Sequence, residues 1–485
     1  ELIQHTCQKP KLVKDSLFVL IQHNLVLYRS SIKLDREETF YEINLKNVLN
    51  RVYLSHSLKL VKNHFGDLGL YVMDVILLYG KCKWSDIKDY FESDTDNIKD
   101  DKELENLKNT FVKMVESRLL KAVQLSDMVS AAEKLVVAEE SRIRDSRVPL
   151  MSTDIKKIRQ ELKNRQANEN SSEVIVGIKR ARPQDKGDVE ADVFFALNYA
   201  QLFVLIRQEV ILDLTAEMTN IHAAEVVKTI IENSSKQIVS CSTPNSETVA
   251  LYTITQNFTT NPEFGDSISF GPNSAEKPKG ASTISHYVDM LQNYQFGILN
   301  KNDKGHVYIN YTKLNHHLKI KLLEKFVKNQ FGSNTLRVFR CLTNGLKIEE
   351  KQIIKECLMQ AKDCRQHLEI LSINGLIQLQ EVPRTADRSA SRCFYLWGFN
   401  LESSCRSLSQ MIYKSLASFE QLRKVEKSKR HLLLNKLERK DVQNDDNLLT
   451  EFDKQQRALW IKIQDRLDWA QLKLSTLLAA LENFD

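Results

Sequence analysis

The sequence predicts a mainly α chain with small β-wings, built from four tandem copies of one extended helix-and-ribbon unit and closed by two long antiparallel helices. Three observations carry that expectation. Breakers are scarce, with 14 Gly and 8 Pro in 485 residues, which suits helices better than an all-β plan. One pattern, a helical stripe that runs into two short apolar strands, returns along the chain. After residue 400 the apolar positions settle into three-four spacing with few turn residues.

A chain of this length is too long for a single core and is expected to divide. Its first unit, residues 1–44, is expected to be N-terminally incomplete. Val13, Leu17, Leu20 and Ile21 form a helical stripe, His23 and Asn24 end it, and LVLYR begins a strand answered by TFYEIN at 39–44. The second, residues 45–123, uses YVMDVILLYG, then SDIKDYF, then 103–123 as a third helix with its strand. Residues 124–190 are highly charged and read as a linker, with a solvated basic loop at Lys179, Arg180 and Arg182.

The third unit, residues 191–312, holds the clearest hairpin, FGILN and HVYINY about an NDKG turn. The fourth, residues 313–400, places helices at 336–343 and 351–360. A third helix follows, carried by Leu358, Ala361, Cys364, Leu368 and Leu371 and stopped at Gly375. Two apolar runs, Leu376 to Leu379 and Phe394 to Trp397, then flank a polar stretch too long for a tight turn, so a basic loop is expected between them. Three helices, a strand, a loop and a strand make a winged helix. Residues 401–485 are expected to form an antiparallel coiled coil, with Leu449, Phe452, Leu459, Ile463, Leu467, Ala470, Leu474, Leu477 and Leu481 as the seam of its second arm.

Enzymatic readings find no anchor. The chain has no phosphate-binding loop, no dinucleotide fingerprint, no HExxH and no GxSxG. The eight cysteines contain no CxxC pair, and His286, His316 and His317 have no partner at ligand spacing, so no metal, cofactor or catalytic residue is expected. Reduced, mostly buried thiols suit a cytosolic or nuclear protein, and no apolar run reaches membrane-spanning length.

Binding is better supported. The 69 basic and 63 acidic residues leave a net charge of only +6, so any contact with nucleic acid depends on local clusters. A winged helix offers a third helix for a groove and a wing whose cations lie along phosphates. The candidates are Lys11 and Lys14 on the first third helix, Arg29 and Lys33 in its wing, and Arg384, Arg388 and Arg392 in the fourth wing. Phe394, Tyr395 and Trp397 are expected to pack in the core and not to stack on bases. A winged helix also serves in protein docking, and the competing reading is a docking scaffold of a proteasome-lid-like assembly without DNA binding.

QEVPRTADRSASRCFYLW (380–397), FGSNTLRVFRCL (331–342), VYINYTKLNHHL (307–318) and VLIQHNLV (19–26) resemble the corresponding stretches of the winged-helix subunit family of eukaryotic RNA polymerase III. The likeness runs in order along nearly the whole chain. It implies four tandem extended winged helices with a C-terminal coiled coil, no catalytic residue, no cofactor and a nuclear location. It also implies partners: the polymerase III core at its clamp region, two smaller subunits of an initiation heterotrimer, initiation factors, and promoter DNA, duplex or single-stranded.

Overall fold

The structure is a computed structural model that describes residues 2–33, 36–94, 101–123, 125–145, 158–161, 178–179, 188–189, 192–234, 240–258, 281–294, 297–345, 347–383, 393–439, 442 and 449–484. The chain forms two units, Glu1–Leu205 and Ile206–Asp485. The boundary falls within helix Tyr199–Met218.

In the first unit the wings begin where helices are stopped by a left-handed residue. Helix Pro10–Gln22 opens on a proline in its first turn, where no amide is missed. It closes at Asn24, whose φ is 54°. The Asn24 amide donates to Ile21 O at 3.0 Å and the Leu25 amide to Leu20 O at 2.9 Å, which satisfies the last carbonyls and aims the chain into a strand. Strands Val26–Lys33 and Arg36–Ile43 then pair antiparallel, with Val26 opposite Ile43 and Lys33 opposite Arg36. The hairpin matches expectation; the burial of the preceding helix does not. Helix Pro10–Gln22 contains no buried residue, because none of the described elements covers the face that carries Leu12 and Val19.

The second repeat is better sealed. After a break at Gly66, the later half of helix Leu54–Tyr79 packs with helices Trp84–Asp94 and Asp101–Glu116. Val72, Met73, Ile76, Ile87, Leu107, Phe111 and Met114 form their core. Arg118, at φ 61°, ends the third helix with the same pair of bonds, Arg118 N–H to Val115 O at 2.9 Å and Leu119 N–H to Met114 O at 3.1 Å. Strand Leu120–Ala122 follows, and it pairs with Phe195–Leu197, so that Leu120 faces Leu197 and Ala122 faces Phe195. The answering strand therefore lies beyond the expected boundary at 190. A three-residue strand has too little alternation to be read alone, and its partner is far along the chain.

Part of the expected linker is ordered structure. Residues Leu125–Met128 form a 3-10 turn and Ala131–Asp145 a helix. Val129 bridges Tyr28 of the first wing, and Glu139 receives Arg159 Nε at 2.9 Å and Arg159 Nη2 at 2.8 Å. Alternating charge signals solvation and pairing equally, so these pairings leave no distinct mark in the sequence. The Lys179, Arg180 and Arg182 cluster lies outside the residues whose side chains are described.

In the second unit, helices Ile221–Ser234, Leu251–Phe258 and Ala281–Asn293 carry the third repeat. Gly297, at φ 55°, precedes hairpin Leu299–Lys301 and Val307–Ile309, which turns at NDKG as expected and sets Leu299 opposite Ile309. Helix Tyr311–Leu342 then crosses the expected boundary at 312 and is broken at Gly332. Helices Glu350–Cys357 and Ala361–Ile373 complete the fourth repeat's helical core. Gly375, at φ 69°, stops the third helix as expected, and strand Cys393–Gly398 lies between Gln378–Pro383 and Ile348–Glu349. Leu358 departs from expectation: it is the left-handed cap of the preceding helix, at φ 51° and 87% exposed. Phe394 and Tyr395 are also exposed, because both faces of the ribbon reach solvent at this level.

The terminal arms are helices Leu401–Lys429 and Glu451–Glu482, joined through the short helix His431–Leu437. They run antiparallel, fixed by Tyr413 Oη donating to Glu482 at 2.9 Å, Arg423 to Asp468 at 2.6 Å and Lys436 to Asp453 at 3.0 Å. The seam is closed near Leu408, Ile412, Leu467, Leu478 and Leu481, whereas Phe452 and Leu459 are exposed.

Two structural roles are filled by one short motif. VKNHFG at 61–66 and VKNQFG at 327–332 each end on a glycine that breaks a long helix, Gly66 with φ 72° and ψ −162° and Gly332 with φ 86° and ψ 175°. That conformation is open essentially to glycine alone. Upstream of each motif, Asn44 and Asn310 follow the second strand of a wing and cap the next helix, accepting from Asn47 N–H at 3.2 Å and Lys313 N–H at 3.0 Å.

Gly332→Ala is expected to destabilise the second unit by about 1–3 kcal/mol, all of it backbone strain, since an added Cβ at Gly332 meets nothing within 4 Å. An unchanged denaturation midpoint refutes this. Arg118→Gly is expected to stabilise by about 1 kcal/mol by relieving a side chain from left-handed backbone; a loss of stability in the same assay contradicts it.

Lys81 gives a pH test. Its ammonium is buried, donates to Ile21 O at 3.2 Å, and is pushed from 10.5 down to about 8 by burial, with Asp127 pulling the other way. Between about pH 8 and 10.5 the unfolded chain holds a proton that the folded chain has released, so this group's contribution to stability rises with pH through that window. Wild type is expected to gain stability relative to Lys81→Met from pH 8 to pH 10. A difference that stays flat counts against the assignment.

Candidate nucleic-acid interface

Lys11 and Lys14 sit one turn apart on helix Pro10–Gln22, both exposed and on one face by spacing. The same face carries Phe18, at 68% exposure, so the cations flank an apolar surface. Arg29 lies on the first strand of the wing, but its Nε is 3.0 Å from Glu133 Oε2. The expectation of a phosphate-contacting Arg29 thus meets an internal carboxylate, supplied by a helix that lies within the expected linker. Lys33 ends the same strand, opposite Arg36, and its side chain lies outside the described residues. Arg384, Arg388 and Arg392 also lie outside the described residues, between strands Gln378–Pro383 and Cys393–Gly398.

A second basic pair holds the corresponding place in its own repeat. Lys362 and Arg365 stand as far upstream of Gly375 as Lys11 and Lys14 stand upstream of Asn24, and both are exposed on the third helix of their repeat. Arg365 Nε is shared with Glu350 at 2.6 Å; Lys362 is one turn earlier. Sequence reasoning passed over this pair, although aligning the helix ends of the repeats was enough to find it.

A third basic locus joins the first two repeats. His23, Arg51 and Lys81 converge there, and burial, then Arg51, then Lys81 hold the His23 imidazole below its ordinary value. The backbone brings them close: a Cβ at Gly80 would stand 2.8 Å from His23 Nδ1. No sequence signal joins three residues so widely spaced.

On the coiled coil, Arg423 is engaged by Asp468 and Gln471, and Arg430 by Glu426, so two cations that share a face by spacing are held within the hairpin. Among the described residues no group of three His, Cys, Asp or Glu side chains is placed to hold a metal ion. No described helix is long and apolar enough to cross a membrane. The arrangement offers cations, apolar faces and ribbons, which are surfaces for binding.

Comparison with known proteins agrees with this plan. Residues 323–399 match the family described as POLR3C, C-terminal winged-helix domain. These residues hold the Gly332 break, the fourth repeat's helices and its three-stranded sheet. The chain is 24% identical to the DNA-directed RNA polymerase III subunit RPC3 of Mus musculus, over 97% of this chain and 89% of that protein. It is equally 24% identical to the Homo sapiens subunit of the same name, over 97% of this chain and 89% of its relative. A shorter match to the Saccharomyces cerevisiae RPC3 subunit reaches 33% identity, over 36% of this chain and 27% of the yeast protein. The winged-helix match falls in the fourth repeat, and the likeness to RPC3 subunits runs along almost the whole length of the chain.

Proposed function

We propose that this protein is a noncatalytic, nuclear subunit of DNA-directed RNA polymerase III that acts in transcription initiation. In this reading it recruits initiation factors and helps to open and hold promoter DNA beside the active-centre cleft. The observation that carries it is the near full-length likeness to RPC3 subunits, borne by a chain of repeated helix-and-wing units. The third helices of the first and fourth repeats, with Lys11, Lys14, Lys362 and Arg365, meet phosphates, and Lys33, Arg384, Arg388 and Arg392 extend the contact along the wings. Arg29 contributes once it exchanges Glu133 for phosphate. Such contacts position DNA without reading its sequence.

The exposed apolar residues favour docking elsewhere. Phe452, Leu459 and Trp469 on the terminal hairpin, and Phe394 and Tyr395 on the fourth wing, are open in the isolated chain. Exposed apolar surface marks interaction sites where it gathers into patches. The proposed partners for these surfaces are the polymerase core at its clamp region and two smaller subunits of an initiation heterotrimer.

Affinity purification of tagged protein from nuclear extract, with mass spectrometry of the partners and a salt-titrated DNA-binding assay on the eluate, tests both halves. The expected result is recovery of RNA polymerase III subunits with DNA binding that weakens steeply as salt rises. Replacing Lys11 and Lys14 by Glu is expected to reduce the slope of log affinity against log salt by about 1 for each phosphate left unneutralised. Recovery of proteasome or translation-factor subunits with no DNA binding overturns the reading. Intact polymerase association after removal of 401–485 overturns the docking role of the hairpin.

A further inference from the structure

Two thiols of the fourth repeat are poised against each other. Cys341, in the last turn of helix Tyr311–Leu342, and Cys357, the final residue of helix Glu350–Cys357, hold their sulfurs 3.2 Å apart. Their access differs. Cys357 is 1% exposed, while Cys341 is partly open to solvent. Burial first, and the Cys341 sulfur second, push the Cys357 thiol well above its ordinary range. Cys357 is also fixed over the neighbouring helix, its carbonyl accepting from Arg337 Nη1 at 3.5 Å and its Sγ lying 3.9 Å from Arg337 O.

We propose that Cys341 and Cys357 form a reversible disulfide under a peroxide oxidant, stapling the first helix of the fourth repeat to its second. The solvent-open Cys341 reacts first, because the thiolate is the nucleophile and a buried thiol resists ionisation. Its sulfur attacks one oxygen of hydrogen peroxide, the O–O bond breaks, and the departing hydroxide takes up the thiol proton as water, leaving Cys341 as a sulfenic acid. The Cys357 sulfur then attacks the Cys341 sulfur. The S–O bond breaks, the hydroxyl leaves with the Cys357 proton as a second water, and the S–S bond forms. Two thiols and one hydrogen peroxide yield one disulfide and two waters.

The geometry favours this partner. Closing from 3.2 Å to a bond of about 2.05 Å asks for a displacement on the order of 1 Å. That movement falls at a helix end, where the next residue, Leu358, is left-handed and 87% exposed. Cys364 is fully buried at 0% and lies on the third helix, its thiol also raised chiefly by burial. It has no comparable access to oxidant.

The test treats the folded, full-length reduced protein with hydrogen peroxide, quenches it with an alkylating agent and maps peptides by mass spectrometry. Arg340, Lys347, Lys355 and Lys362 flank the two cysteines, so trypsin releases them on separate peptides. The expected product is the cross-linked pair, two hydrogens lighter than the sum and lost on treatment with dithiothreitol. With Cys357→Ser, Cys341 is expected to accumulate as a sulfenic acid that dimedone traps; with Cys341→Ser or Cys341→Ala, Cys357 is expected to stay reduced. Two wild-type outcomes overturn the proposal: Cys341 overoxidised with Cys357 still alkylated, or either cysteine joined to a different thiol. Oxidation of Cys357 in both Cys341 variants, each verified as folded by circular dichroism, overturns the assigned order of attack.

Discussion

The constraint on which the architecture depends is the way each third helix ends. At Asn24, Arg118, Gly297 and Gly375 the backbone enters the left-handed region, and the next residues are apolar: Leu25 and Val26, Leu119 and Leu120, Ile298 and Leu299, Leu376 and Ile377. In the three later repeats both of these residues are buried. The left-handed residue reverses the chain, the freed carbonyls are bonded, and the apolar pair is drawn under the helices as the first strand of a wing. One conformational choice therefore aims the third helix, starts the ribbon and seals the small core.

Cores of this size are marginal alone, because a short three-helix repeat buries too little apolar area to offset its chain entropy. The protein answers with continuity. Wings hand over directly to capped helices at Asn44 and Asn310, and the long helices Leu54–Tyr79 and Tyr311–Leu342 are broken at Gly66 and Gly332, so that their two halves pack separately. The twice-used VKN-x-FG motif shows the same backbone problem solved in the same way in both units. Where the handover lacks cover, as on helix Pro10–Gln22, apolar residues remain at the surface.

The balance of charge shapes function in the same economical manner. With a net charge of only +6, the chain has no general attraction for polyanions, and its cations act where the fold collects them. Several are already committed: Arg29 to Glu133, Arg365 to Glu350, Arg423 to Asp468. Exposed ion pairs of this type are worth little.

Much of this was legible in the residues. Three-four spacing located the helices, alternation and NDKG located the third hairpin, and Gly375 marked the end of the last third helix, because helix and turn propensities are local. The family likeness, too, was carried by contiguous stretches. Tertiary structure alone decided what depends on distant partners: the pairing of Leu120–Ala122 with Phe195–Leu197, the capture of Arg29 by Glu133, and the meeting of His23, Arg51 and Lys81. It also decided the exposure of Phe394 and Tyr395, since alternation shows that a strand has two faces and not which of them is covered. The sequence by itself determined the repeated helix-and-wing plan; only the packed chain decided which cations are held and which are open to a ligand, because electrostatic pairing is set by distance in space and not along the chain.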